Sequence, residues 1–116
     1  MLLSSSVKKD EQQKEKVIEA VNDVAAALNR LGITPPHAVA LGLGGFMRRL
    51  SELLAWGRGE RKEQPPPIPK EQVEEVKKIL SQALKRKLGT REGDECGWWV
   101  DRANEALDYL TSLEGV

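Results

Sequence analysis

The sequence predicts an all-α protein, a small bundle of four amphipathic helices, or of five if a glycine-rich segment divides the second one. Apolar residues recur at spacings of three and four in four segments, which is the period of a helix with one buried side. No segment shows the sustained alternation, rich in β-branched residues, that is typical of a strand. The 116 residues fit a single domain, in which such helices can bury their apolar sides only against one another.

The first predicted helix extends from Ser6 to Leu31. Its apolar stripe consists of Val17, Val21, Val24, Leu28 and Leu31. Gly32 is expected to end the helix as a C-cap. The polar stretch KKDEQQKEK in its first half either projects as solvated helix or frays, and its position near the terminus favours fraying.

The second predicted helix extends from about Pro36 to Trp56, after Thr34, whose hydroxyl can cap the free amide groups of the first turn. A helical wheel gives it an apolar side formed by Val39, Leu43, Phe46, Met47, Leu50, Leu53 and Leu54. Gly44, Gly45 and Arg48 point the opposite way. Arg49 lies between the two sides.

Three interpretations of the segment LGLGG are open. A phosphate-binding loop is disfavoured, since no strand precedes it and the lysine and Ser/Thr of a P-loop are missing. The glycines can instead form a kink or a hinge that divides the helix into a short and a long piece. In the third interpretation, exposed main chain at Gly44 and Gly45 is a docking surface where Arg48 and Arg49 supply charge-assisted hydrogen bonds.

Residues 57–68, GRGERKEQPPPI, predict a flexible linker, because glycine and charge loosen this stretch and prolines fit neither helix interiors nor sheets. The third predicted helix follows from Pro69 to Gly89, with glutamates near its start and Lys85, Arg86 and Lys87 near its end. Its buried side consists of Val73, Val76, Leu80, Ala83 and Leu84.

The last predicted helix begins at about Asp94. Residues that share its apolar face are Trp99, Ala103, Ala106, Leu107, Leu110 and Leu113. Trp98, Arg102 and Tyr109 fall along the margin of this face. Trp98 can therefore pack against a neighbouring helix of the same bundle, or remain half exposed as an anchor for a partner protein or a stacking platform for a base.

Composition excludes several classes of function. The 18 basic and 18 acidic residues give no net charge, so nucleic acid could be bound only by a local basic group. One histidine, His37, and one cysteine, Cys96, are too few for a zinc site, and no nucleophile and base are arranged for catalysis. We expect no enzyme, no metal and no cofactor. Without a signal sequence or a membrane-spanning segment, a cytoplasmic protein is expected.

Two sets of binding residues are predicted. Nucleic-acid contact is expected from Arg48, Arg49, Lys78, Lys85 and Arg86. A protein interface is expected at Gly44, Gly45, Trp98, Arg102 and Tyr109. For the lysines and the arginine of the third helix, the alternative is a solvated face that offsets the helix dipole.

Two stretches, PPHAVALGLGGFMRRLSELLAW and WWVDRANEALDYLTSLEG, resemble the small helical subunit of multisubunit CRISPR effector complexes, especially the RNA-targeting type III systems. In that family a proline-containing helix start leads into a glycine–leucine segment and an apolar helix. The last helix carries an aromatic residue and then a Glu–Ala pair, here Glu105 and Ala106. The extra glycines, the two arginines and the lack of a basic tail depart from the family pattern.

The resemblance implies a non-catalytic structural subunit that stacks with copies of itself and touches the backbone of guide RNA and target strand without reading bases. Its partners would be other subunits of a ribonucleoprotein complex, copies of itself, and RNA or single-stranded DNA, with neither membrane nor small-molecule substrate. The alternative is a helical protein–protein adaptor or assembly module, of viral or secretion type, with no nucleic-acid role. Zero net charge, the glycine patch and Trp98 favour that alternative.

Overall fold

The computed structural model describes the backbone of residues 2–87 and 91–113, and the side chains of residues 11–87 and 96–113. Within these ranges the chain forms five α-helices and no strand, which confirms the predicted all-α fold class. In chain order the helices are α1 Leu2–Arg30, α2 Pro35–Ala40, α3 Gly44–Gly57, α4 Lys70–Lys87 and α5 Arg91–Thr111.

The longest helix, α1, packs against both α3 and α5, and α5 also packs against α4. Helix α5 runs antiparallel to α1, since Cys96 lies near the Arg30 carbonyl while Arg102 lies near Glu19 and Asp23. One apolar core joins the helices. Its most deeply buried side chains include Val17, Val24, Leu43, Phe46, Leu53, Ile68, Val76, Leu80, Leu107 and Leu110.

Both ends of α1 bear on the sequence predictions. Gly32 has φ of +78°, and the Ile33 amide donates to the Leu28 carbonyl at 2.8 Å, so the predicted C-cap is confirmed. At the other end the helix continues back to Leu2, so the favoured fraying was wrong. The lysine, glutamate and glutamine residues of this stretch are good helix formers, and the Lys14 ammonium lies 5.6 Å from the centre of the Trp56 ring.

The second predicted helix is two helices, so the prediction of one continuous helix from Pro36 to Trp56 was wrong and the hinge interpretation was right. Gly42 has φ of +86°, which only glycine adopts readily, and its amide donates to the Val39 carbonyl at 3.0 Å. The Leu43 amide donates to the Ala38 carbonyl at 2.9 Å, and α3 begins at the next residue. This turn buries Leu43 but leaves Val39 exposed.

The start of α2 also differs from expectation. Thr34 precedes the helix in extended conformation, but its hydroxyl makes no capping hydrogen bond. The prolines take the first positions of α2, where no intrahelical amide bond is lost. The backbone of Thr34 contributes instead, because its carbonyl accepts a hydrogen bond from the Ala38 amide at 2.8 Å.

The connection between α3 and α4 is anchored at its far end. Ile68 is only 1% exposed, and its amide donates to the Leu110 carbonyl at 3.3 Å. Pro65 is buried as well. Pro65 and Ile68 therefore pack on the core while Pro66 and Pro67 between them stay exposed, a contact that the composition of residues 57–68 did not indicate.

Helices α4 and α5 largely follow the predictions. Val73, Val76 and Leu80 are buried on α4, and the predicted C-cap at Gly89 lies outside the described residues. Helix α5 begins at Arg91, three residues before the predicted Asp94. Its buried face is wider than predicted, because Cys96 and Val100 belong to the core while Trp99 is only partly buried.

Candidate functional site

The predicted glycine surface lies at the first turn of α3. Gly45 and Arg48 are exposed, and Gly44 and Arg49 are partly buried, so the group faces outward as predicted. A Cβ added at Gly45 would meet the Gln72 side-chain nitrogen at 3.4 Å, and one at Gly44 would meet only Val39, at 4.0 Å. Both are ordinary contacts. The main chain at Gly45 is therefore exposed at this surface, with the Gln72 side chain beside it.

Sequence reasoning placed these glycines inside a helix, whereas the structure places them at a helix N-terminus. The residue before α3 is Leu43, which offers no side-chain cap, so the first amide groups of the helix depend on solvent or a ligand. The partial positive charge of the helix end adds to that of Arg48 and Arg49. Recognition of the left-handed turn at Gly42 would have moved the predicted helix start to this position.

Neither Arg48 nor Arg49 forms an ion pair or side-chain hydrogen bond with any residue that the structure describes. The nearest acid along α3 is Glu52, one turn further on. Its carboxylate lies 3.7 Å from the guanidinium of Arg61, which comes from the following connection. The two arginines therefore keep their charge available at the surface.

The three predicted contacts on α4 lie at different distances from this turn. Lys78, Lys85 and Arg86 are all exposed. Gln72 is the α4 residue beside Gly45, and Arg86 lies fourteen residues further along the helix, which corresponds to about 21 Å. Lys85 and Arg86 therefore lie about 20 Å along α4 from the α3 turn, whereas Lys78, six residues after Gln72, is about 9 Å along the helix.

Trp98, Arg102 and Tyr109 line one groove between α1 and α5, whose volume is about 600 Å³. Trp98 is 53% exposed, so it remains uncovered by the bundle. The Arg102 guanidinium lies 5.0 Å from the centre of the Trp98 ring and 3.6 Å from the Asp23 carboxylate. These three predicted interface residues therefore lie together, but Gly44 and Gly45 belong to a different surface.

The α1–α5 groove is acidic. Its lining carries four carboxylates, from Glu19, Asp23, Asp101 and Glu105, against the two cations Lys16 and Arg102, which leaves a formal charge of −2. Burial raises the pKa of Tyr109. Sequence reasoning missed the α1 side of the groove, because the packing of α1 on α5 is what brings the two helices together. The i, i+4 spacing of acids on both helices was the available signal.

A smaller hollow of about 160 Å³ lies between α2 and α4. Apolar side chains of Leu31, Ile33, Leu41, Ile79 and Ala83 line it, together with His37 and Gln82, and Arg86 and Lys87 add two positive charges. Lys87 also donates to the Arg30 carbonyl at 3.2 Å. Of the residues that line this hollow, Leu41 is an exposed large apolar side chain, whereas the exposed Val39 lies outside it, beside Gly44.

His37 is exposed on α2, and Cys96 is buried, with its sulfur 3.9 Å from the Arg30 carbonyl oxygen. Across the described residues, no group of three or more His, Cys, Asp and Glu side chains is placed to hold a metal ion. None of the helices in these ranges combines the length and the apolar character needed to cross a membrane.

Comparison of the chain with protein-family models, curated proteins and solved structures returns no match. The resemblance to CRISPR small subunits therefore stays a prediction. What the chain binds must be inferred from the surfaces themselves.

Proposed function

We propose that the protein is a non-catalytic structural subunit of a cytoplasmic ribonucleoprotein complex of the CRISPR effector type, which contacts the RNA or target-strand backbone and stacks with like subunits. The observation that carries the proposal is the first turn of α3. There, uncapped amide groups at Gly44 and Gly45 stand one turn before two arginines without carboxylate partners.

A phosphate group suits this turn for physical reasons. Backbone amides at a helix N-terminus point at an incoming anion, and the helix dipole favours negative charge there. Because glycine has no Cβ, a sugar–phosphate backbone can approach the main chain at Gly45 closely. Arg48 and Arg49 would then add charge-assisted hydrogen bonds to the phosphate oxygens.

Three other cations of the bundle are less available to a phosphate than Arg48 and Arg49. Arg61, Lys77 and Arg102 each lie within ion-pair distance of a carboxylate. A phosphate at those positions would have to displace an existing partner, whereas at Arg48 and Arg49 it would displace only water. The turn therefore offers an anion two available charges in a protein whose net charge is zero.

Lys78, Lys85 and Arg86 contribute less to this proposal. Glu74 and Glu75 lie four and three residues before Lys78, where they reduce its field. Arg86 borders the apolar hollow rather than an open basic surface. The α3 turn alone can hold one or two phosphates, which fits contact with a backbone and leaves sequence recognition to base pairing.

Fluorescence anisotropy with a labelled 20-nucleotide single-stranded RNA, and the matching DNA, across a salt series tests the proposal. Replacing Arg48 and Arg49 by glutamine should weaken binding and reduce the slope of log K against log salt by about 1.4, because each lost phosphate contact on a single strand contributes about 0.7. The matched control replaces Arg58 and Lys62, two exposed cations of the α3–α4 connection, by glutamine. Equal losses in both variants, or no binding at about 50 mM salt, would contradict the proposal.

The half-exposed Trp98 favours a second candidate, a protein–protein adaptor without a nucleic-acid role. If this candidate is correct, replacing Arg48 and Arg49 by glutamine would leave the binding of partner proteins unchanged. Static light scattering of the wild type and of Trp98→Ala would show an association that depends on this side chain.

A further inference from the structure

The side of α4 that faces α2 is only partly covered. Ile79, Ala83 and Arg86 follow one another at spacings of four and three residues, so they share this side of the helix. Helix α2 packs against α3, which leaves the hollow of about 160 Å³ between α2 and α4. Ile79 and Ala83 pack against the core but are only partly buried, so apolar surface of α4 remains open to a ligand in this hollow.

The lining of the hollow is divided into an apolar inner part and a polar rim. Leu31 and Ile33 are buried, so they form the inner part. His37, Gln82 and Arg86 are exposed, so they form the rim. A ligand with an apolar chain and a polar head group matches this division, because the chain would leave water while the head group stays at the surface.

The charge at the rim favours an anionic head group. The residues that line the hollow include two cations and no acid. Lys87 already donates to the Arg30 carbonyl at 3.2 Å, whereas Arg86 forms no ion pair with any residue that the structure describes. The planar guanidinium of Arg86 can bind a carboxylate through two parallel hydrogen bonds. The side chains of His37 and Gln82 carry N–H groups that can donate to the same carboxylate.

The volume of the hollow limits the length of the apolar chain. A water molecule in the liquid takes about 30 Å³, and a methylene group is of similar size, so a hollow of about 160 Å³ has room for about five carbon groups. The alkyl part of hexanoate has this length. A longer chain would extend beyond the hollow into solvent.

We propose that the hollow between α2 and α4 binds a monocarboxylate with a short, unbranched alkyl chain. The chain lies against Ile33, Ile79 and Ala83, and the carboxylate accepts hydrogen bonds from Arg86. The site is separate from the proposed nucleic-acid contact, since it contains neither Arg48 nor Arg49. It holds the ligand without changing it chemically.

Titration of the isotope-labelled full chain with sodium hexanoate, followed by the NMR shifts of its backbone amides at constant sodium concentration, tests the proposal. We expect saturable shifts around the hollow with a Kd of about 1 mM. From propionate to hexanoate, each added methylene should tighten binding about fourfold, and decanoate should gain much less per methylene because the hollow is already full. The uncharged 1-hexanol should bind about tenfold more weakly than hexanoate.

Two pairs of variants locate the ligand. Arg86→Gln should weaken hexanoate binding about tenfold and leave 1-hexanol binding unchanged, whereas Lys85→Gln, which removes the neighbouring exposed cation, should leave both unchanged. Ala83→Leu fills part of the hollow with its own side chain and should weaken hexanoate binding at least tenfold. Ser81→Leu, the same enlargement at an exposed position of α4, should not. Circular dichroism would verify that each variant keeps its helices.

Three results would overturn the proposal. They are shifts that do not saturate by about 20 mM hexanoate, equal affinities for hexanoate and 1-hexanol, and equal losses in Arg86→Gln and Lys85→Gln. The anisotropy experiment with RNA is independent of all three. RNA binding that depends on Arg48 and Arg49 would keep the proposed function if hexanoate failed to bind, and specific hexanoate binding would keep this site if RNA failed to bind.

Discussion

Arg48 on α3 and Arg102 on α5 are arginines on the outer parts of helices in the same small bundle, yet their surroundings differ completely. Arg102 lies over Trp98 and within ion-pair distance of Glu19 and Asp23, because α1 packs alongside α5 and brings its acids to the groove. Arg48 forms no ion pair with any described residue, and the carboxylate of Glu52, one turn further along α3, lies 3.7 Å from the Arg61 guanidinium instead. A neighbouring helix, rather than local sequence, decides which cation remains available.

The largest change in the free energy of unfolding is expected at the C-terminal end of α3, where this helix packs against α1. At Gly57 an added Cβ would lie 2.7 Å from Ile18 Cγ1 and 3.2 Å from the Lys14 carbonyl oxygen, so α1 and α3 must separate. We expect Gly57→Ala to lower the free energy of unfolding by about 1–3 kcal/mol in urea titrations, despite the better helix propensity of alanine.

Gly45→Ala is the matched control at the open end of the same helix. Its Cβ would meet Gln72 only at ordinary contact distance, so stability should stay equal or rise by up to about 1 kcal/mol. Destabilisation by both substitutions to the same extent would mean that the N-terminal turn of α3 is as closely packed as its end.

A smaller effect is expected from the arginines themselves. Arg102→Gln removes the contacts with Asp23, Glu19 and Trp98, and since the side chain is 39% exposed the loss should be at most about 1 kcal/mol. Arg48→Gln should change the free energy of unfolding by no more than a few tenths of a kcal/mol, because no partner is lost. Chemical denaturation of both variants under identical salt conditions checks the difference, and equal values would contradict it.

The smallest effect on stability is expected from the ionisation of Tyr109, which lines the α1–α5 groove. Burial raises the pKa of Tyr109 above its usual 10.0, because the phenolate would lose hydration. The folded state therefore holds this proton more tightly than the unfolded state. Its contribution to stability is complete below pH 10 and is lost as the pH rises through the folded pKa.

Tyr109 is the one tyrosine in the chain, so the phenolate absorbance titrates a single group. Its midpoint should lie above 10.0 in the folded protein and fall to that value in denaturant. Tyr109→Phe should remove the corresponding part of the alkaline destabilisation. A folded midpoint at or below the denatured one would show that the groove leaves this side chain fully hydrated.

Helical periodicity was enough to predict the fold class and most of the core. The stripes through Val17, Val24, Leu80 and Leu107 depend only on residue spacing, and all four side chains are buried. Helical periodicity did not predict the division between α2 and α3. A left-handed glycine changes the direction of the chain without changing the hydrophobic pattern, so Val39 was assigned to the core but is exposed.

The candidate surfaces were predictable only in part, for a related reason. Trp98, Arg102 and Tyr109 share one side of α5, which spacing alone reveals. Glu19 and Asp23 enter the same groove through the packing of another helix, and the uncapped amides at Gly44 appear only once the helix start is placed correctly. Pairwise packing and exact helix ends are not encoded in the period of one segment.

The buried Ile68 divides the α3–α4 connection into two parts with different tolerances. Residues 58–63 are mostly exposed and precede the hydrogen bond from the Ile68 amide to the Leu110 carbonyl. An inserted fusion partner or a longer loop could therefore be accommodated there. From Pro65 onward, an inserted residue would shift the isoleucine out of its place and pull α4 out of register with α5.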